Sequence, residues 1–151
     1  MIVNTETIWA LAAQNKRLDN RTLLEYREPI NIELNISFTA EGSARVRIGD
    51  TVVIAGVKLA MEKPYNDTAD EGGIMVNAEL LPLSSSEYEP GPPGIKAVEL
   101  ARVIDRGIRE AKAIDLKKLC IKAGEKAWFV TIDIITINDA GNLFDAAGLA
   151  A

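Results

Sequence analysis

Helical spacing of apolar residues marks the first and the longest helix that the sequence predicts. The N-terminal segment from Asn4 to Lys16 carries its apolar residues at this spacing, and Asn4 or Thr5 is a suitable cap. A second helix is predicted at 97–111, where positions 97, 100, 101, 104, 108 and 111 fall on one face. A third helix begins near Asn142.

Alternation of apolar and polar residues predicts the strands that lie between these helices. The strands are expected at 30–36, 44–48, 51–60, 74–83, 116–122 and 127–137. The run 51–60 is almost continuously apolar, which indicates a central strand covered on both faces. A block of strands followed by a helix and two more strands favours an α+β fold, with a mostly antiparallel sheet and helices on one face.

The length of the chain fits one compact domain, since 151 residues are too few for two. We divide it into an N-terminal helix at 1–18 and one domain at 19–151. The last residues, 139–151, are predicted to form the first two turns of an apolar helix with no cap or polar tail after it. This pattern is typical of one lobe of a larger protein whose second lobe is absent.

Composition narrows the chemistry available to the chain. The sequence has no histidine, which removes the commonest general base and metal ligand. Its net charge of −5 argues against a free-standing nucleic-acid binder. With Cys120 as the single cysteine and no secretory signal or membrane span, a reducing cytoplasm is the expected compartment. No residue set predicts a metal ion or a cofactor.

Several single residues have two interpretations. Trp9 and Trp128 lie on apolar stripes, so packing in the core is favoured over stacking on bases. Asp67, Asp70 and Glu71 form part of a polar loop that has no partner base, so a solvated loop is favoured over a metal or acid/base site.

Four segments resemble the RNase PH family, and in particular the non-catalytic ring subunits of archaeal exosomes. The segment 89–110, EPGPPGIKAVELARVIDRGIRE, resembles their signature segment. RLDNR at 17–21 is similar to the N-terminal family motif, with Asn20 where glycine is usual. Segment 42–58 resembles the first hairpin and central strand, and segment 139–151 resembles the strand-to-helix turn after the last strand.

The resemblance implies a role in RNA degradation. A related paralogue in this family carries out phosphorolysis, in which inorganic phosphate attacks the terminal phosphodiester at the RNA 3′ end and releases a nucleoside diphosphate. It further implies a hexameric ring of three heterodimers, each with one catalytic and one non-catalytic subunit. RNA-binding cap proteins and the 3′ end of single-stranded RNA would be its other partners. The family's catalytic aspartate lies in a second lobe beyond residue 151.

Two departures from the catalytic pattern predict a non-catalytic subunit. Where catalytic relatives carry adjacent arginines after Pro-Gly-Pro, this chain has Gly94-Ile95-Lys96, and one lysine cannot reproduce bidentate phosphate binding. Where they place Gly-Ser-Arg at the turn into the last helix, this chain has Gly141-Asn142-Leu143, and leucine offers neither charge nor donor. No catalytic residue is therefore assigned.

The predicted RNA-binding residues are Arg102, Arg106 and Arg109. Their spacings of four and three place them on one face of the second helix, opposite its apolar stripe. From pattern alone a solvated face is favoured, because Glu99, Asp105 and Glu110 lie nearby. The resemblance reverses this preference, since arginines of this subunit are expected to face the RNA. Two other functions stay open, a chain that is itself a phosphorolytic 3′–5′ exoribonuclease and a scaffold that contacts only protein.

Overall fold

A six-stranded sheet is the centre of the fold, and the computed structural model describes it together with all helices over residues 4–151. In chain order the elements are α1 (Thr5–Ala13), β1 (Ile30–Leu34), β2 (Gly42–Ile48), β3 (Thr51–Glu62), β4 (Gly73–Glu79), α2 (Ile95–Glu110), a 3₁₀ helix (Leu116–Leu119), β5 (Cys120–Lys122), β6 (Lys126–Asn138) and α3 (Leu143–Ala150).

The strand order in the sheet is β1-β2-β3-β6-β4, with the short β5 beside the start of β6. Every neighbouring pair is antiparallel except β4 and β6, which are parallel. The last strand of the chain is therefore central, and β1 and β4 are the two edges. This topology confirms the predicted α+β fold with a mostly antiparallel sheet.

The core lies on one face of the sheet, beneath α2 and α3. Alternate residues of β2, β3 and β6 point into it, and Leu100, Ile104, Ala146 and Ala147 close it from the helices. The expectation that β3 is covered on both faces is correct for one face only. Val53 and Ala55 are buried, whereas Val52 and Ile54 on the other face are half-buried.

Several boundaries differ from the sequence prediction, and three of them show how local hydrogen bonds, turns and strand pairing decide where an element begins or ends. The predicted strand at 116–122 is a 3₁₀ helix over its first four residues, where Asp115 accepts a hydrogen bond from the Lys117 amide at 3.2 Å. β4 ends at Glu79 rather than at residue 83, because a turn from Leu81 to Ser84 follows it. β2 begins at Gly42, two residues before the start predicted at residue 44.

The N-terminal helix forms where the pattern predicted it. Asn4 caps α1 by accepting a hydrogen bond from the Glu6 amide at 3.1 Å. The helix has no buried residue, and Trp9 is 72% exposed. The expectation that Trp9 packs in the core is therefore wrong, whereas Trp128 is half-buried. Residues 1–3 lie outside the described residues, and the division at residue 18 stays a prediction.

Candidate nucleic-acid interface

Helix α2 carries the three predicted RNA-binding arginines, and its packing fixes the direction in which they point. Ala97, Leu100, Ala101 and Ile104 are buried against the sheet along one face. The arginines lie elsewhere on the helix surface, and all three are exposed. The amphipathic pattern of the sequence was therefore sufficient to place them outward.

The structure separates the three arginines into two kinds. Arg109 forms an ion pair with Asp105, with 2.7 Å between Nε and Oδ2, and its Nη2 donates a hydrogen bond to the Ile74 carbonyl on β4. The side chains of Arg102 and Arg106 have no ion pair and no hydrogen bond with any residue of the described range 4–151. Of the acidic neighbours considered above, only Asp105 neutralises one of the three arginines.

A groove of about 520 Å³ runs between α2 and the edge strand β4. Its walls come from residues of both elements, Ile74, Met75, Val76, Ala101, Arg102, Val103, Asp105, Arg106 and Arg109. Because Arg109 and Asp105 neutralise each other, the excess charge beside the groove is that of the two remaining guanidinium groups. The arrangement can attract an anionic polymer without reading its sequence.

The loop that leads into α2 holds its own lysine in place. Lys96 pairs with Glu87 at 3.0 Å and lies 5.8 Å from the centre of the Tyr88 ring. The hydroxyl of Tyr88 donates to Asp139, and burial, followed by this carboxylate, raises the pKa of Tyr88 to about 12. Lys96, which the resemblance places where catalytic relatives carry arginines, is therefore engaged by the loop that precedes α2.

The turn into α3 uses its own backbone groups internally. The Gly141 amide donates to Asp139 at 2.9 Å, and the Ala140 amide donates to the Thr51 hydroxyl at 3.0 Å. The same hydroxyl donates to the Gly141 carbonyl at 2.6 Å. Asn142 follows in the left-handed conformation, with φ of 60°, and its side chain does not cap the helix. Two of the amides that could have held an anion are thus already satisfied.

One charged side chain at this turn opposes anion binding, and another, a cation, is bonded to the turn itself. The guanidinium of Arg27 donates to the Ala140 carbonyl, which ties the segment between α1 and β1 to the turn. Asp145 places a carboxylate in the first turn of α3, where the helix dipole would otherwise favour an anion. The half-buried Leu143 packs against the core. The turn is built as a structural joint, with two of its amides and the Arg27 guanidinium engaged in internal hydrogen bonds.

Sequence reasoning missed the two residues that organise this joint. Arg27 lies in an irregular segment and showed no periodicity, so only its distant contact with Ala140 reveals its role. Thr51 gave a weak signal, because it is a polar residue at the head of an apolar strand. It is fully buried in the fold.

The described residues 4–151 include no group of three or more acidic or cysteine side chains arranged to hold a metal ion. Asp70, from the acidic loop considered above, pairs with Lys117 at 3.6 Å. Within the same range, every helix is too short or too polar to cross a membrane.

The comparison with protein families gives one match. The model described as 3′ exoribonuclease family, domain 1, of the RNase PH type, matches residues 25–151. The match includes every strand of the sheet and the two helices that pack on it. It begins after α1, which is therefore outside the matched region.

Similar proteins come from archaea. The exosome complex component Rrp42 of Archaeoglobus fulgidus is 54% identical over 137 residues, which are 91% of this chain and 52% of that protein. A chain of the solved Archaeoglobus fulgidus exosome with RNA bound to the active site superposes with a TM-score of 0.91 and 51% identity, over 97% of this chain and 57% of that one. A chain of an archaeal exosome core gives a TM-score of 0.82 at 46% identity, over 97% and 54% of the two chains. The chain thus spans about half the length of the relatives it matches.

Proposed function

This chain belongs to the RNase PH family of 3′ exoribonucleases, and on that premise we propose that it serves as an RNA-contacting, non-catalytic subunit of a phosphorolytic exoribonuclease ring. In this proposal it forms the core of an archaeal-type exosome with a catalytic paralogue, as three heterodimers. RNA-binding cap proteins and the 3′ end of single-stranded RNA are its further partners. The names of its archaeal relatives support the assembly.

The main support for the proposed RNA contact is the pair of free guanidinium groups on α2. Arg102 and Arg106 are four residues apart, so they lie one above the other on the helix surface, about 5–6 Å apart at their Cβ atoms. Neither has a counter-ion among the described residues. Two such groups can each neutralise one backbone phosphate.

The turn at Gly141 supports the non-catalytic part of the proposal. An enzyme of this type must hold the attacking phosphate with backbone amides and a cationic side chain. Here the amides of Ala140 and Gly141 are bonded within the turn, and Leu143 stands where an arginine would be needed. The reading as a phosphorolytic enzyme has no comparable support in these contacts.

A protein-contacting scaffold is the second candidate, and one observation favours it. Ile95, Val98 and Val103 on α2 are exposed by 88%, 45% and 50%. Apolar side chains beside unpaired arginines are typical of surfaces that meet another protein. In that case the guanidinium groups would form ion pairs with the partner and would leave RNA binding unchanged.

The decisive experiment compares phosphate-dependent trimming of an oligoadenylate by the full-length protein, by its catalytic paralogue and by the two mixed. We expect diphosphate release only when the paralogue is present, with the mixture the more active. Release by this protein alone would contradict the non-catalytic role.

A charge-reversal pair then tests the RNA contact in the mixed complex. Arg102→Glu with Arg106→Glu should weaken RNA binding and flatten its salt dependence, because each lost phosphate contact lowers the slope by about 0.7 for single strands. Lys117→Glu with Lys118→Glu is the matched control, since it changes the net charge equally at side chains outside the groove that are 70% and 84% exposed. Equal slopes for both variants would favour the scaffold.

A further inference from the structure

Strand β1 forms one edge of the sheet, and among residues 4–151 its only strand neighbour is β2. Just outside the strand, the Asn35 amide donates to the Ser43 carbonyl at 2.8 Å, and the Gly49 amide donates to the Pro29 carbonyl at 3.0 Å. Both bonds follow the register of β1 with β2, so the odd-numbered residues on this side of the ladder direct their peptide groups to β2. The residues that direct their N–H and C=O groups to the open side are the even-numbered ones, Ile30, Ile32 and Leu34.

The side chains of the same three residues form an uncovered apolar row. They are exposed by 50%, 48% and 69%. Their partners across the ladder are Ile48, Val46 and Ala44, which are only 3%, 0% and 8% exposed. The core layer on this face of the sheet therefore stops between β2 and β1. A row of apolar side chains beside a row of outward peptide groups is the arrangement to which a further strand can be added.

The sequence of β1, INIEL, is its own complement in an antiparallel pairing centred on Ile32. Ile30 of one copy then lies opposite Leu34 of the other, and Ile32 lies opposite itself. All these pairs are apolar and belong to outward-facing residues, so each pair exchanges both of its N–H···O bonds. A shift by two residues in one direction places Glu33 opposite itself, and a shift in the other direction places Leu34 opposite Glu28. Only the centred pairing brings the whole apolar row together.

The other face of β1 also fits this pairing. Asn31 of one copy lies opposite Glu33 of the other, and an amide can donate to a carboxylate. The same two side chains bond within one copy, with 3.3 Å between Nδ2 and Oε1. Arg45 of β2 forms an ion pair with Glu33, so the two carboxylates bring no unpaired like charge to the contact.

We propose that β1 is a self-association surface, on which a second copy of this chain adds its own β1 as an antiparallel strand. The two sheets become one, and the apolar row of each copy covers that of the other. Because the contact uses the same patch on both copies, it closes at a dimer and does not extend into a fibre. The inference goes beyond the proposed function, since it concerns contacts between copies of this chain and not contacts with RNA or a paralogue.

An extended segment of another protein, or of this protein outside residues 4–151, is the competing occupant of the edge. Either would bond the outward peptide groups equally well. The match of apolar, amide and carboxylate positions about Ile32 is what favours a second copy. Five residues from each copy form a small interface, so we expect a weak dimer with a dissociation constant in the micromolar range.

Sedimentation velocity of the full-length protein alone, across micromolar concentrations, measures the association, and we expect a reversible equilibrium between monomer and dimer. Ile32→Lys removes apolar area and places two ammonium groups opposite each other at the centre of the pairing. It should raise the dissociation constant by at least about tenfold. Ile121→Lys is the matched control, because Ile121 is 54% exposed on β5, away from β1, and should leave the equilibrium unchanged. A protein that stays monomeric throughout, or equal weakening by both variants, would overturn the inference.

Disulfide trapping tests the register, with Cys120→Ser in every variant so that the native thiol cannot react. Ile32→Cys should cross-link with itself, because the residues of a hydrogen-bonded pair have Cα atoms about 5.5 Å apart, within reach of a disulfide. Ile30→Cys alone and Leu34→Cys alone should not cross-link, because identical positions are then offset by roughly 13 Å along the strands. A mixture of these two variants should cross-link. Cross-linking of Ile30→Cys alone, or none in Ile32→Cys, would contradict the proposed pairing.

Amide hydrogen exchange of the unmodified full-length protein provides a test that does not depend on a variant. The Ile32 N–H should exchange fast at concentrations where the protein is a monomer and slowly where it is a dimer. Slow exchange in the monomer would show that another segment of the chain fills the edge, and fast exchange in the dimer would show that the copies meet elsewhere. Either result would overturn the inference, as would association that continues beyond a dimer.

Discussion

The hydroxyl of Thr51 provides a quantitative test of the joint between β3 and the turn into α3. Thr51→Val keeps the shape of the side chain and removes the hydroxyl that accepts from the Ala140 amide and donates to the Gly141 carbonyl. Each buried group left without a partner costs about 1–3 kcal/mol, and Ala140 is exposed enough for water to compensate in part. We therefore expect a loss of about 2 kcal/mol in the free energy of unfolding.

Thr51→Ser is the control for this change, because serine keeps both hydrogen bonds and loses one methyl group, at about 1 kcal/mol. Urea denaturation monitored by tryptophan fluorescence measures both variants. With a slope of about 2 kcal/mol per molar urea, the valine variant should lower the midpoint by about 1 M and the serine variant by about half as much. A valine variant as stable as the original protein, or more stable than the serine variant, would refute the role given to the hydroxyl.

Three further predictions concern positions elsewhere in the fold. Gly141→Ala should destabilise the protein by about 1–3 kcal/mol, because φ is 95° at this position. Gly107→Ala should stabilise it by about 0.5–1 kcal/mol, because a methyl group there points into open space on α2. Thermal unfolding measures both changes. Leu100→Ala should lower the free energy of unfolding by about 2–5 kcal/mol, because this side chain is only 2% exposed. Leu83→Ala should lower it by less than about 0.5 kcal/mol in the same assay, because Leu83 is 74% exposed. The pKa of Tyr88 is raised from 10.0 to about 12 in the folded protein. Its contribution to the free energy of unfolding is therefore complete below pH 10 and is lost as the pH rises towards 12. Tyr88→Phe should therefore differ from the original protein in its free energy of unfolding below pH 10, and the two should converge between pH 10 and about 12. Tyrosinate absorbance of Tyr88 that titrates at the ordinary pKa would contradict this.

The sequence was most informative where one periodicity dominates. The strands at 44–48 and 127–137 and the helix at 97–111 were predicted from spacing, because burial on a single face imposes that spacing. The same logic placed the arginines of α2 outward. Spacing shows that Asp105 lies one turn from Arg109, but it could not show that Arg109 also bonds the Ile74 carbonyl, thirty-five residues away.

Prediction failed where local or distant polar contacts decide the conformation. The segment after Asp115 alternates like a strand, yet the aspartate side chain and the Leu116 carbonyl, which accepts from Gly72 at 2.9 Å, stabilise a 3₁₀ turn. Trp9 lies on a helical stripe that the described residues do not cover. The groove depends on which strand lies at the edge, and strand order is a property of the whole chain that periodicity cannot reveal.

The central position of β6 has a consequence for synthesis of the protein. β2 and β3 can pair as soon as the ribosome releases them, because only Gly49 and Asp50 join them. β4 must wait for a partner that ends at Asn138, and at about 5–20 residues per second the intervening residues take several seconds to emerge. During that interval both sides of β4 are unpaired on the nascent chain. The sheet therefore closes in one late step, which makes β6 the segment whose mutation should most increase aggregation during translation.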